Sequence, residues 1–286
     1  MRSVINVRGL AKSYGSNQAV AGIDLSIAQG EIFALLGPNG AGKTTTVEIL
    51  EGFRDRDSGE VTVLGTDPSV KGEAGRIWRN RIGIVLQSTS DAGDLSVRDT
   101  VAHFAKYYSN PRDVDEVVSA VGLDEKSKEL IRTLSGGQRR RLDVALGMIG
   151  SPELLFLDEP TTGFDPKARR AFWALIEDLR KTGTTILLTT HYLDEAEALA
   201  DRVAVINRGL IVEVSTPALL GGRATSLATV SWLGADGSKS ERTDNPTALI
   251  KKLTESFKGE IPELTVKRAS LEDIYLEMIG GADVHK

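Results

Sequence analysis

The run EIFALLGPNGAGKTTTVEIL, Glu31 to Leu50, decides the fold. It opens on an apolar stretch of strand length, and three of the ten residues from Gly37 to Thr46 are glycine. Glycine supplies no packing area and costs backbone entropy, so such a cluster after a strand implies a backbone held close to something. The spacing of Gly37, Gly42, Lys43 and Thr44 fits G-x-x-x-x-G-K-[ST]. In that arrangement the loop of Gly37, Pro38, Asn39, Gly40, Ala41 and Gly42 wraps an anion, and the glycines make room for phosphate. The following helix offers its positive N-terminus through Thr44 and Thr45, Lys43 reaches the terminal phosphates, and the Thr44 hydroxyl binds magnesium. A glycine-rich turn with a chance lysine is the plain alternative. The strand before it and the helical TTTVEIL after it supply the context that the motif needs.

Working outward, short β-branched runs alternate with helical patterns. VINVRGL and AVAGIDLSI read as antiparallel strands, and EIFALL, RIGIVLQ, ELLFLDE, TTILLTTH and RVAVINR as buried ones. In PKARRAFWALIEDLRKTG, Phe172, Leu175, Ile176 and Leu179 recur at helical spacing, with charges on the other face and Gly183 as a stop. This alternation predicts a layered α/β core with a largely parallel sheet. Residues from about Leu95 to Gly150 carry no strong strand signal and read as a helical insertion. After about Pro217 the pattern changes: SLATVSWLG and ELTVKRA surround NPTALIKKLTESF, and SLEDIYLEMIGG closes the chain. The expected division is a main domain over 1–216 and a small α/β accessory or regulatory module over 217–286. The stripe Leu271, Ile274, Tyr275 and Met278 is expected to pack on that module or on a partner.

Composition sets outer limits. The 286 residues are 41% hydrophobic and 26% charged, an ordinary globular balance. The formal net charge of -5 gives no overall basic field, so direct binding of nucleic acid is not expected. With no cysteine, thiolate metal sites and cysteine nucleophiles are excluded. The start MRSVINVRGL lacks the apolar core of a secretory signal, and no uninterrupted apolar run is long enough to span a bilayer, so a cytosolic location is expected.

Two further stretches carry chemistry. ELLFLDEPTTGFDP ends an apolar run in Asp158, a carboxylate at the strand's C-terminal edge that can hold magnesium directly or through water. Glu159 beside it can polarise an attacking water. An acidic turn after a buried strand is the ordinary reading of an isolated Asp-Glu pair, and the loop upstream shifts the balance. In TLSGGQRRRLDVALGMI, Ser135 lies three residues before Gln138 and forms a capping box. Gly136 and Gly137 weaken that helix start. They make sense if bare backbone at a helix N-terminus meets a second phosphate.

LSGGQ between GPNGAGKTT and LLFLDEPTTGFDP resembles the ATP-binding cassette family, the ATPases of ABC transporters, over about Val4 to Ser215. The resemblance implies a P-loop cassette with an antiparallel β subdomain, a helical subdomain and magnesium-dependent hydrolysis of ATP. It also implies head-to-tail pairing with a second copy or a similar cassette, in which Ser135, Gly136, Gly137 and Gln138 of one subunit cover ATP on the loop of the other. By the same resemblance Tyr14 stacks on adenine, and Gln87 senses magnesium and contacts the membrane partner. Asp165 links opposing sites across the dimer, and His191 bonds the γ-phosphate. Phe164 stands where many relatives have leucine, an expected packing change. A packed strand tyrosine and a solvated histidine are the plain readings of Tyr14 and His191.

Lys43, Asp158 and Glu159 are all present, so the cassette is expected to hydrolyse ATP. The tail RASLEDIYLEMIGG makes it most similar to the daunorubicin-resistance type, which serves exporters whose permease is a separate chain. STSDAGDLSVRDTV departs from the usual pattern. The expected location is then the inner face of the cell membrane, held there by the partner. A non-transport cassette ATPase acting on a ribosome or a DNA-repair complex is the alternative. Such proteins commonly carry two cassettes or a long insertion, and neither appears in this sequence. A small-molecule P-loop kinase would have no use for LSGGQ, and Glu159 argues against a pure binding module.

Overall fold

Alternation builds the first two strands. In β1 (Ser3–Tyr14) and β2 (Asn17–Ala28), apolar residues such as Val7, Leu10, Ile23, Leu25 and Ile27 point inward while polar neighbours face solvent. The computed structural model describes residues 2–85, 94–257 and 259–280. By internal contacts the chain divides into two units, Met1–Val214 and Ser215–Lys286.

In the first unit, β1 pairs antiparallel with β2 and with a strand that the sequence reading passed over, β4 (Ser58–Val63), giving the order β2-β1-β4. The second sheet has six strands in the order β5-β6-β7-β3-β8-β9. Its members are β3 (Ile32–Leu36), β5 (Ile82–Val85), β6 (Leu154–Asp158), β7 (Thr185–Thr190), β8 (Arg202–Asn207) and β9 (Leu210–Ser215). β3, β5, β6, β7 and β8 pair in parallel. Both faces of the middle strands are covered, so every residue of β3 and β7 is buried: β3 is wholly apolar, and β7 keeps Ile186, Leu187 and Leu188 at its centre with threonines at its ends. RIGIVLQ forms β5 only to Val85, and Gln87 lies outside the described residues.

Helices α1 (Lys43–Leu50), α2 (Gly72–Arg79), α6 (Pro166–Lys181) and α7 (Leu193–Leu199) accompany the sheets. The expected helical segment contains α3 (Val97–Ala105), α4 (Val114–Ala120), two short 3-10 turns and α5 (Gly136–Met148). One core runs from the antiparallel sheet (Ile5, Leu10, Ile23, Val61) through α1 (Val47, Leu50) to the parallel sheet (Phe33, Phe156, Leu187, Ile206).

In the second unit, β10 (Ala228–Gly234) lies between β11 (Gly237–Thr243) and β12 (Thr265–Lys267), all antiparallel. Helix α8 (Pro246–Phe257) closes a small core of Val230, Leu249, Leu253 and Ile261. Helix α9 (Leu271–Gly280) buries Leu271 and Ile274 within this unit, where Ile274 sits over Gly221. Part of the apolar stripe therefore packs on its own module.

Candidate active site

Strand order assembles the site. Because β7 lies between β6 and β3, the carboxyl ends of the three strands stand side by side. Asp158 is level with Thr189, and Leu36 is level with Thr190. The loops that leave these ends carry Gly37–Gly42, Glu159 and His191, at the edge where open parallel sheets place their ligands.

The glycines of the first loop have physical causes that the sequence alone does not separate. A side chain on Gly37 would run into the carbonyl of Ile206 on β8, and one on Gly42 would run into the carbonyl of Ala19 on β2. Gly42 also has φ 105° and Gly40 φ 78°. Two of the three glycines thus make room for the protein's own backbone, and the loop is clamped between two strands. A further tie comes from Gly209, whose N–H donates to Ala41 O at 2.9 Å. Lys43 is buried, and its Nζ donates to Gly37 O at 2.7 Å and Pro38 O at 3.2 Å. Burial pushes its pKa down, while Glu159 and Asp158 act in the opposite direction. Thr44 and Asn39 are exposed at the loop's mouth, and Thr46 donates to Gly42 O at 2.8 Å.

At the end of β6, Asp158 accepts a hydrogen bond from the Thr189 hydroxyl. Glu159 adopts φ 44°, a left-handed conformation that costs a non-glycine residue on the order of 1–3 kcal/mol. Its N–H donates to Thr189 O at 3.1 Å, which holds the strained residue against β7. Its carboxylate lies beside His191, whose Nδ1 is 3.3 Å from Glu159 Oε2. His191 is 43% exposed and Glu159 13%, so a solvated imidazole covers a largely buried carboxylate. His191 also stacks on Tyr192, with ring centroids 4.1 Å apart.

Ser135 caps α5 as expected. Its hydroxyl accepts from Gln138 N at 3.3 Å, and Gln138 Oε1 accepts from Ser135 N at 2.9 Å. Gly136 and Gly137 differ from the loop glycines. Neither has a positive φ, a Cβ on Gly136 would meet nothing within 4 Å, and one on Gly137 would touch only Phe164 at 4.0 Å. Phe164 is buried edge-on against Phe172, so the aromatic at this position is a packing feature. Asp165 caps α6, accepting from Lys167 N at 2.9 Å and Ala168 N at 2.8 Å. Tyr14, at the end of β1, is 41% exposed and flanked by the Arg54 guanidinium at 5.3 Å and Lys12 Nζ at 5.7 Å from its centroid.

The sequence reading missed three supporting residues. Arg140 on α5 is buried and donates to Asp158 O at 2.6 Å and Pro160 O at 2.9 Å, tying the glycine-bearing helix to the acidic turn. In sequence it is one of three consecutive arginines and carries no mark. Thr189 anchors Asp158 and Glu159, but it reads as an ordinary strand residue. Glu51 follows α1 and is buried. Burial, then the charges of Asp158 and Glu48, push its pKa up to about 8.

Glu51 yields a prediction whose sign follows from proton linkage. Its folded pKa lies above the ordinary carboxylate value of 4.5, so above that value the unfolded chain gives up a proton that the folded chain keeps. Stability from this group is complete at acid pH and is lost progressively up to about pH 8. Glu51→Gln should therefore raise the unfolding free energy by a few kcal/mol at pH 8 and by much less near pH 5, measured by denaturant titration without nucleotide or metal. An equal change at both pH values would contradict this account.

A family model described as ABC transporter matches residues 20–162. The chain is 34% identical to the daunorubicin/doxorubicin resistance ATP-binding protein DrrA of Streptomyces peucetius, over 96% of this chain and 92% of that protein. It is 36% identical to the linearmycin resistance ATP-binding protein LnrL of Bacillus subtilis, over 80% of this chain and 76% of that one. A Nod factor export ATP-binding protein I of Ralstonia nicotianae is 39% identical over 75% of this chain and 67% of its own length. Among solved structures, the dimeric post-hydrolysis cassette MJ0796 bound to ADP and Pi superposes with a TM-score of 0.68. That match covers 74% of this chain and 98% of that one at 22% identity, a likeness of fold. With loop, acidic turn and capped glycine helix in the cassette arrangement, and relatives matched over most of the chain, this protein belongs to the ABC transporter family as an ATP-binding, ATP-hydrolysing subunit.

Proposed function

We propose that the chain is the magnesium-dependent motor of an exporter. In this reading it drives a separate membrane permease from the cytoplasmic face by pairing head to tail with a second copy or a similar cassette. Export is supported by the relatives, two of which are named for drug resistance and one for Nod factor export. Among the described residues no helix is long and apolar enough to cross a membrane, so the membrane path is assigned to a partner. No comparison favours work on a ribosome or on DNA. Ser215–Lys286 carries none of the nucleotide motifs and is read as an accessory module.

Gly136 carries the shared-site reading. Glycine in the first turn of a helix costs up to about 1 kcal/mol relative to alanine, and neither its φ nor crowding within this chain requires it. The demand for a bare backbone at Ser135–Gln138 then comes from outside the chain. ATP held on the partner's Gly37–Thr45 loop is the anion that fits a helix N-terminus.

Each residue has a physical role. Tyr14 offers a π face to adenine. Lys43 exchanges the Gly37 and Pro38 carbonyls for phosphate oxygens. Thr44, Asp158 and Gln87 would hold magnesium, Asp158 directly or through water. This sparse oxygen donor set suits an ion that takes most of its ligands from phosphates and water. When bound, the ion neutralises charge on the β and γ phosphates. Glu159 orients and deprotonates the attacking water, His191 bonds the γ-phosphate, and Asp165 faces the opposing site.

Gly136→Asp tests the shared site without disturbing the monomer. A carboxylate in the first turn favours an isolated helix, so thermal stability should hold or rise. Placed against the partner's phosphates it repels them, so ATP turnover should fall at least about tenfold. Unchanged turnover would contradict the proposal.

A further inference from the structure

Glu195 lies on α7, four residues after His191, and is 0% exposed. A carboxyl so enclosed is costly unless it is satisfied, and a leucine of similar volume would pack there at no such cost. Its carboxyl faces Thr190 at the end of β7, Thr161 in the turn after Glu159, and Trp173 on α6. Burial pushes its pKa up, while these three donors and the Arg169 charge pull it down. Neither carboxyl oxygen has a hydrogen bond of ordinary geometry, and the Thr161 hydroxyl and Trp173 Nε1 are likewise buried without one. Donors and acceptors without ordinary partners are thus buried together in one cluster, and hydrogen bonds among them would satisfy it.

The three segments are those that carry the reactive residues. The Thr161 turn begins at Glu159 and ends at Asp165. The β7–α7 turn presents His191, and α6 starts from Asp165. A second tie runs alongside: Arg169 of α6 donates to Asp194 Oδ2 at 3.0 Å and lies 4.4 Å from the centroid of Tyr192, which stacks on His191.

We infer that Glu195 is a positioning residue for ATP hydrolysis, whose carboxyl, by accepting hydrogen bonds from Trp173 Nε1 and the Thr161 hydroxyl, locks the His191 turn to the Glu159–Asp165 turn. The inference rests on the proposed roles of Glu159 and His191. It adds a buried polar latch behind them that touches neither nucleotide nor water. Misplacement of a reacting group by about 1 Å costs up to about a hundredfold in rate, so a latch of this kind acts on kcat and leaves nucleotide binding alone.

The test uses the full chain. Glu195→Leu removes both acceptors while filling the space, and a purely structural role predicts equal or higher stability with unchanged turnover. The latch predicts equal or higher thermal stability with kcat reduced about tenfold and the ATP KM within about twofold. Glu195→Gln, which keeps one acceptor, should restore most of the rate. Trp173→Phe, which removes only the N–H, should lose as much as Glu195→Leu, and the double variant should lose no more than either alone. Trp173→Phe also serves if Glu195→Leu does not fold. Wild-type kcat in the folded variants, or losses that multiply in the double variant, overturns the inference. Glu159→Gln measured alongside separates the two levels: loss of turnover there with none in the latch variants defeats the latch alone, whereas retained turnover defeats the reading on which it rests.

Discussion

Glu159→Gln is expected to lower ATP turnover by at least about a hundredfold while leaving nucleotide binding intact. A positioned general base contributes roughly 10²–10⁴ in rate. Glutamine keeps the shape of the side chain and loses the basic oxygen. The left-handed backbone at this position, held by Thr189, aims the group whichever of the two residues stands there. The loss should therefore appear in kcat. A variant with wild-type turnover would show that the water is activated elsewhere.

Lys43→Ala should impair binding and turnover together. The ammonium sits on the carbonyls of Gly37 and Pro38, and in the proposed site its charge would meet the terminal phosphates in ground and transition state alike. Interactions of this kind supply a few kcal/mol of transition-state stabilisation, so kcat/KM should fall by about 10² or more. A fluorescent ATP analogue read by titration, beside steady-state hydrolysis, separates the two effects. Unaltered affinity and rate would remove Lys43 from the site.

The site was legible in sequence where local chemistry dictates residue type. The Gly37–Thr44 loop, Asp158 at the end of an apolar strand and the Ser135 cap each declare themselves within a few residues. Arg140, Thr189, Glu51 and Glu195 do not, because their meaning lies in what α5, β7, α1 and α7 bring together across the fold. The same distinction explains the missed elements. β4 begins SGE and is half polar, and β11 reads GSKSERT with no buried residue, so neither shows the apolar alternation that marks β1 and β2. Helix α2 contains two glycines and owes its place to Trp78, whose indole donates to Val63 O at 2.9 Å. The parallel strands were legible because burial on both faces leaves apolar runs in their middles, with polar residues such as Asp158, Thr189 and Thr190 confined to their ends. The glycines also have a cause that the sequence does not show: a side chain on Gly37 or Gly42 would run into the backbone of Ile206 or Ala19.

Sedimentation velocity of the Glu159→Gln chain tests the shared site most directly. If each ATP lies between Gly37–Thr45 of one subunit and Ser135–Gln138 of the other, blocked hydrolysis preserves the bridge. The chain should then sediment as a monomer without nucleotide, as a monomer with ADP, and as a dimer with ATP and magnesium. The ATP dimer should disappear when Gly136→Asp is added to the same chain. The same mass in all three nucleotide conditions would contradict the account.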